Sequence, residues 1–558
     1  MQHNSLKALF PQLLGPKSPV YLDSAATSHK PQSVIERVNQ YYANENANVH
    51  RSSHRLAAQT TAKFEAVRQQ VQHFIGAQSH KEIIWTKGAT ESINLVASCL
   101  SAQHLQAGQT LLLSGLEHHA NLVPWQQMAQ RFALQIHIMP VDDKGCLLIE
   151  QALELINSHT ALVAVTHVSN ALGNINPIER IIKKAKALGA LTLIDGAQAI
   201  SHLTVNVQTL DCDFYVFSAH KMYGPTGIGV LYGKQALLES MSPYQYGGEM
   251  IQQVGYFESS FQGLPYKFEA GTPNIAGVLG LGAAVAFIEQ YRVLIEQIES
   301  ELYEYLLQQL AQIEQVQLWG ETKSSIALQS ITLIGLNIQD LSILLSEQNI
   351  AIRTGHHCTM PLMQRLGLAG TLRISLACYN TFADIDTFIQ ALKIAMVQLA
   401  PDSVIQDELI VGFTPEPLVI DIILPLAQKI KTAQGWDSVY RQIMLAGKEL
   451  ERLPVHLQVP ENEVNGCESQ VWLTCTVNEQ QVYLQGDSPS KIVRGLLAII
   501  FEVLEGQKVQ SIAVFDMPAY LQQLGLSRHL SPSRGNGLIA VVQKIQQHCE
   551  VYLSVSLS

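Results

Sequence analysis

Leu191-Thr192-Leu193-Ile194-Asp195-Gly196-Ala197-Gln198 is the stretch on which the fold class turns. Its first four residues give no polar–apolar alternation, which marks a strand covered on both faces, as in a parallel sheet flanked by helices. An acid follows directly and a glycine turns the chain. A carboxylate there is costly to bury without a cationic partner; a structural Asp capping the next turn is the other reading. Outward from this point the same grammar repeats. Ile83-Ile84-Trp85-Thr86, Thr110-Leu111-Leu112-Leu113-Ser114 and Ala161-Leu162-Val163-Ala164-Val165-Thr166 read as strands, as do Phe214-Tyr215-Val216-Phe217-Ser218 and Ile228-Gly229-Val230-Leu231-Tyr232. Helical patterns lie between them, one from Thr90 and a Lys-rich one over 178–188. Strand–helix alternation predicts an α/β domain with a large, mostly parallel sheet over residues 20–290.

Residues 291–402 change character and predict a smaller α+β domain, joined by the N-terminal segment. An amphipathic helix over 292–314 precedes the strands Ser330-Ile331-Thr332-Leu333 and Arg373-Ile374-Ser375-Leu376, and a helix over 381–399 ends the unit. The window 401–425 holds five acids, no Lys or Arg, and prolines at 401, 415, 417 and 425, so a linker is placed at 403–418. Helices over 422–433 and 436–450, and strands over 470–476 and 481–486, predict a separate α+β domain at 419–558.

Composition narrows the class. The 558 residues are 47% hydrophobic and 15% charged, which excludes a disordered chain. With 36 Lys plus Arg against 47 Asp plus Glu the net charge is −11, which argues against a nucleic-acid or anionic-membrane binder. The start shows no signal-peptide pattern, and the weakly polar run over 275–288 is too short for a bilayer. Eight cysteines without a CxxC pair predict a reduced, cytoplasmic protein. A metal reading of His356-His357-Cys358 is set aside, because adjacent side chains point apart and a zinc site needs four tetrahedral ligands, so no metal is expected.

Three stretches suggest a cofactor site at the carboxyl ends of strands, where open α/β sheets bind ligands. Lys87-Gly88-Ala89-Thr90-Glu91 opens a helix whose free N–H groups and dipole favour an anion. Asp195 would meet a protonated ring nitrogen. Lys221, in Ser218-Ala219-His220-Lys221-Met222-Tyr223-Gly224-Pro225, can form a Schiff base if its pKa is depressed. Singly, each has a bland reading as an N-cap, a turn cap or a surface lysine; together, in this order, they suit pyridoxal 5'-phosphate.

With these motifs the sequence resembles the aspartate-aminotransferase-like (fold type I) pyridoxal-phosphate enzymes. More narrowly it resembles the group II, Suf-type cysteine desulfurases. Tyr21-Leu22-Asp23-Ser24-Ala25-Ala26-Thr27, Val49-His50-Arg51, Glu117-His118-His119-Ala120-Asn121, Glu269-Ala270-Gly271-Thr272-Pro273-Asn274 and Arg353-Thr354-Gly355-His356-His357-Cys358 carry the likeness further. The resemblance implies that Lys221 holds the cofactor aldehyde, Asp195 the ring nitrogen and Gln198 the ring hydroxyl. It implies that His118 stacks on the ring and moves protons. Ala89, Thr90, Ser218 and His220 would hold the phosphate, with Thr272 supplied by the other subunit of a homodimer. Asn170 would contact substrate or cofactor. Arg373 is the expected fork for the substrate carboxylate, with Arg353 as second candidate. Ser52-Ser53 and Ala89 depart from the family pattern.

Cys358 stands in a polar, cationic segment, unlike Cys99 and Cys378 in apolar runs, and is the expected nucleophile. The resemblance implies that it takes sulfur from L-cysteine as a persulfide, with L-alanine as co-product. Asn465-Gly466-Cys467-Glu468, Gly486-Asp487-Ser488, Ile492-Val493-Arg494-Gly495-Leu496 and His529-Leu530-Ser531-Pro532-Ser533-Arg534 resemble SufE-type sulfur acceptors. Cys467 would then accept the sulfur, Arg534 would steady it, and downstream iron–sulfur scaffold proteins would receive it. Selenocysteine lyase or cysteine sulfinate desulfinase activity is the alternative among enzymes; an iron–sulfur scaffold or non-catalytic adaptor is the alternative outside them.

Overall fold

The computed structural model describes residues 6–399 apart from 52 and 101–103. It also describes 425–556 apart from 434–435, 465–468, 479 and scattered positions between 514 and 531. The expected linker 403–418 and Cys467 lie outside the described residues, and nothing is described of the Arg534 side chain. Chain contacts form two compact units, Met1–Ile334 with Gln348–Ala395, and Gly335–Glu347 with Met396–Ser558.

The first unit is built on a seven-stranded sheet: β1 (Ile83–Thr86), β2 (Thr110–Ser114), β3 (Gln135–Met139), β4 (Thr160–Thr166), β5 (Leu191–Asp195), β6 (Phe214–Ser218) and β7 (Gly229–Gly233). The spatial order is β1-β7-β6-β5-β4-β2-β3. Only β7 runs against the others; its neighbours β1 and β6 both pair with it antiparallel. β1, β2, β4, β6 and β7 are buried at every residue, the pattern of strands covered on both faces. β3 is the exception. At one edge of the sheet it keeps three of five residues exposed, and its sequence QIHIM carries polar–apolar alternation rather than the continuous apolar run of the other strands.

Two close approaches explain two glycines of the motifs. A Cβ at Gly196 would collide with the ring of Tyr215, and one at Gly229 with the Gly88 backbone. The second contact lets β7 pass beside the turn that opens the helix Ala89–Cys99.

The helix expected over 292–314 is instead one 36-residue helix, Ile275–Leu310. Its Gly/Ala-rich first half packs in the core and its second half leads toward the small sheet, so the expected boundary at 290 falls inside a continuous helix. By length and composition it could cross a bilayer, yet 56% of its most apolar window is buried within the fold. Asn274 caps it, accepting from the Gly277 N–H at 2.9 Å. The small sheet is antiparallel, in the order β8-β9-β11-β10, from β8 (Val316–Trp319), β9 (Leu328–Leu333), β10 (Arg353–Gly355) and β11 (Thr371–Ser375).

The second unit has its own apolar core. The hairpin β12 (Trp472–Asn478) and β13 (Gln481–Asp487) meets the helices Trp436–Glu449 and Lys491–Leu504 there, through Leu473, Leu484, Ile443 and Ile500. Gly447 and Gly495 let those helices touch: a Cβ on either would collide with the backbone of the other helix. Val464 and Val471, which flank the stretch containing Cys467, are paired at 2.8 Å.

Candidate active site

Because β1, β2, β4, β5 and β6 all run the same way, the residues that follow them gather at one edge of the sheet. There a cavity of about 220 Å³ opens. From β1 come Ala89 and Thr90; from β2, His118; from β4, Asn170. β5 ends in Asp195 and brings Gln198, and β6 ends in Ser218 and brings His220 and Lys221. The small sheet closes the cavity with Arg353, Arg373 and Cys358. Twelve expected site residues thus meet in one place. Thr272 does not: it is exposed and lies outside the lining of this chain's cavity.

Lys221 is half-buried in the cavity wall. Burial lowers its ammonium to about 8, opposed by the Asp195 carboxylate and helped by the Arg373 guanidinium. Burial raises the Asp195 carboxyl, while the Ala197 N–H (2.9 Å) and Lys221 pull the other way. The Lys221 loop is tied down through the carbonyl of His220, which accepts from Ser28 N at 3.0 Å, Thr27 Oγ1 at 3.1 Å and Lys30 Nζ at 3.1 Å. Burial holds His220 at about 4 and Lys30 at about 8.

His118 lines the cavity as a neutral imidazole, lowered to about 4 first by burial and then by Lys221. Its Nδ1 accepts from the Ala120 N–H at 3.0 Å, so its hydrogen sits on Nε2. Beneath it Glu117 is buried and raised to about 8 by desolvation. The Glu117 carboxyl accepts from Thr166 N (2.8 Å), Asn121 Nδ2 (2.6 Å) and the Ser114 hydroxyl, binding the turn to β2 and β4.

Arg353 and Arg373 stand directly opposite each other on β10 and β11. Like charges so placed repel, and Asp23 resolves the conflict. Its Oδ2 accepts from Arg353 Nε at 3.1 Å and its Oδ1 from Arg373 Nη2 at 2.9 Å. Arg373 Nη1 donates to the Asn170 carbonyl at 2.7 Å, which leaves its buried Nε without a partner in the cavity wall. In the sequence Asp23 stands out only as part of the motif Tyr21–Thr27. Its role depends on a pairing 350 residues away in sequence, which no local pattern carries.

The residues fit pyridoxal phosphate. A lysine amine near neutrality, a buried carboxyl and an imidazole share one cavity, and Arg373 Nε is a spare donor for a carboxylate. Ala89 N donates to Ser218 Oγ at 2.8 Å, so the two expected phosphate holders meet at the same point of the helix start. Among the described residues no cluster of His, Cys, Asp or Glu is arranged to hold a metal. Cys99, Cys146, Cys212, Cys358, Cys378 and Cys475 carry free thiols.

Residues 20–388 match the class-V aminotransferase family, and residues 425–549 the SufE family, an Fe-S metabolism associated domain. A probable cysteine desulfurase of Vibrio cholerae is 45% identical over 397 residues, covering 70% of this chain and 98% of that one. The chain belongs to the class-V aminotransferase family, among its cysteine desulfurases. A cysteine desulfurase of Synechococcus elongatus is 45% identical over 67% of this chain and 60% of its own length. The crystal structure of the Escherichia coli cysteine desulfurase CsdA superposes with a TM-score of 0.67 at 40% identity, over 71% of this chain and 99% of that one. That of Thermococcus onnurineus gives 0.66 at 38%, over 68% and 95%. The α/β architecture expected for this family, with a separate SufE domain, is the one observed.

Proposed function

We propose that this cysteine desulfurase takes sulfur from L-cysteine on Cys358, passes it to Cys467 in its SufE domain and so feeds iron–sulfur cluster assembly. The observation that carries this reading is the opening of Lys221 and Cys358 into one cavity walled by Asp195 and Arg373.

Pyridoxal phosphate bound to Lys221 would supply an electron sink for the pair released at the substrate α-carbon. Asp195 would hold its ring nitrogen, Gln198 its ring oxygen and the Ala89–Thr90 helix start, with Ser218 and His220, its phosphate. Arg373, through its free Nε, orients the substrate carboxylate, with Arg353 and Asn170 beside it. With an amine near neutrality, Lys221 Nζ accepts the α-proton. The His118 Nε2–H faces the same space as a donor. The Cys358 sulfur attacks the substrate sulfur: an S–S bond forms, the C–S bond breaks, and the carbon fragment keeps the electron pair, takes up protons and leaves as L-alanine. Attack by Cys467 on the outer sulfur then regenerates the Cys358 thiol.

The free cysteines support a reducing, cytoplasmic location. The exposed Thr272, outside its own chain's cavity, supports a homodimer in which it serves the other subunit. The test is mass spectrometry of Cys358 and Cys467 peptides after a pulse of L-cysteine. Added sulfur should appear on Cys358 first and on Cys467 second; sulfur on Cys467 in a Cys358→Ala protein would overturn the relay.

A further inference from the structure

Cys358 sits where the chain runs through two consecutive left-handed residues, His357 (φ 50°) and Cys358 (φ 58°), directly after Gly355 and His356. Non-glycine residues hold that conformation only where their surroundings impose it. The backbone partners show what imposes it here. The Cys358 N–H donates to His356 Nδ1 at 3.2 Å, and the His357 carbonyl accepts from Asn170 Nδ2 at 2.7 Å. The His357 ring also bonds Thr371 Oγ1 at 3.0 Å, and the His356 carbonyl accepts from the Thr359 N–H at 2.8 Å. Two more ties come from His119. Its N–H donates to the Cys358 carbonyl at 2.8 Å, and its ring Nε2 accepts from the Met360 N–H at 3.1 Å.

We propose that His119 is a positioning residue that fixes the Cys358 thiol relative to Lys221, holding the loop by main chain at Cys358 and by its ring at Met360. His119 lines a neighbouring cavity rather than the one that Lys221 and Cys358 share, so it acts through the loop and not on the reacting atoms. It follows His118 in sequence, and His118 does line the shared cavity. The turn 118–121, anchored by Glu117, therefore sets the imidazole facing the substrate and the position of the attacking sulfur with one piece of backbone. Nε2 must be the unprotonated nitrogen to accept from Met360. Met360 is exposed, so its N–H regains water when the ring bond is removed. Loss of that bond frees the loop without burying an unsatisfied group.

The inference rests on the reading of Cys358 as the attacking sulfur, and the experiment separates the two. Three holoenzyme variants are compared with the unaltered protein: His119→Phe, which keeps a ring and loses the acceptor; His119→Gln, whose Oε1 can accept in place of Nε2; and Cys358→Ala. Two rates are read: single-turnover persulfide formation from L-cysteine, and α-hydrogen exchange of L-alanine in deuterium oxide, which needs no thiol. His119→Phe should slow persulfide formation about tenfold while exchange stays within about twofold, and His119→Gln should restore most of the loss. An equal loss in both rates, no loss in either, or a selective loss that glutamine does not restore would each overturn the proposal. Persulfide formed by Cys358→Ala would instead overturn the underlying reading.

Discussion

The two walls of the active-site cavity are built in opposite ways. On the Lys221 side, Asp195 and Ser218 are the last residues of buried parallel strands, and Lys221 follows within one turn. Their positions are consequences of the sheet, and many backbone bonds would have to break to move them. On the other side, Cys358, the proposed nucleophile, rides a loop with two left-handed residues, held by side chains from the opposite wall. A group that must hold a ring in one plane gains from a rigid strand end. A sulfur that must first attack substrate and then be reached by an acceptor gains from a mounting that a few contacts set.

The contrast breaks most sharply at the reactive groups. Lys221→Ala should lower alanine release at least about a thousandfold and remove the visible band of the bound cofactor. Cys358→Ser should abolish sulfur release to a similar degree while the band remains. A variant pair that lost both signals together would show that the two walls are not independent.

Next in size is the link between the walls. Asp23→Asn leaves Arg353 and Arg373 facing each other without their shared anion, with Arg373 buried. A cost of about 3 kcal/mol in stability is expected, with a raised KM for L-cysteine; denaturant unfolding and initial rates check both. Gly229→Ala tests the rigid wall alone. The added methyl meets the Gly88 backbone and should cost about 1–3 kcal/mol, with weaker cofactor retention on dialysis.

The smallest effect is a pH dependence of the Lys221 wall. Burial lowers the Lys221 ammonium from its ordinary value to about 8, and only the neutral amine condenses with an aldehyde. Reconstitution of the apoprotein with pyridoxal phosphate should therefore speed up about tenfold per pH unit below that value and level off above it. A rate still climbing steeply beyond pH 9 would show a lysine that is not depressed (about 10.4 is ordinary).

These walls also differ in how far they could be read from sequence. β4, β5 and β6 announce themselves because continuous apolar runs have few alternatives, and a residue placed just after such a strand is at the ligand-binding edge by topology. Asp195 and Lys221 were legible on that ground, and Cys358 from its polar, cationic context. β3 was less legible because it carries polar–apolar alternation in place of a continuous apolar run, whereas β1, at the other edge, is fully buried and reads as a strand. The Ile275–Leu310 helix was legible only in part: its first turns, 275–282, are buried all round, the remainder is amphipathic, and the change of pattern looks like a boundary. The sequence alone gives Asp23 and His119 no role, because each acts through partners more than two hundred residues away in sequence.

The continuous helix carries a mechanical consequence. At ~1.5 Å per residue it is a beam of about 54 Å joining the large sheet's core to the small sheet. Flexing it sharply would rupture its internal ladder at a point where no proline or inserted residue offers a pivot. Shutting the site around a substrate by swinging one lobe is thus disfavoured, and enclosure falls to short segments and side chains at the rim.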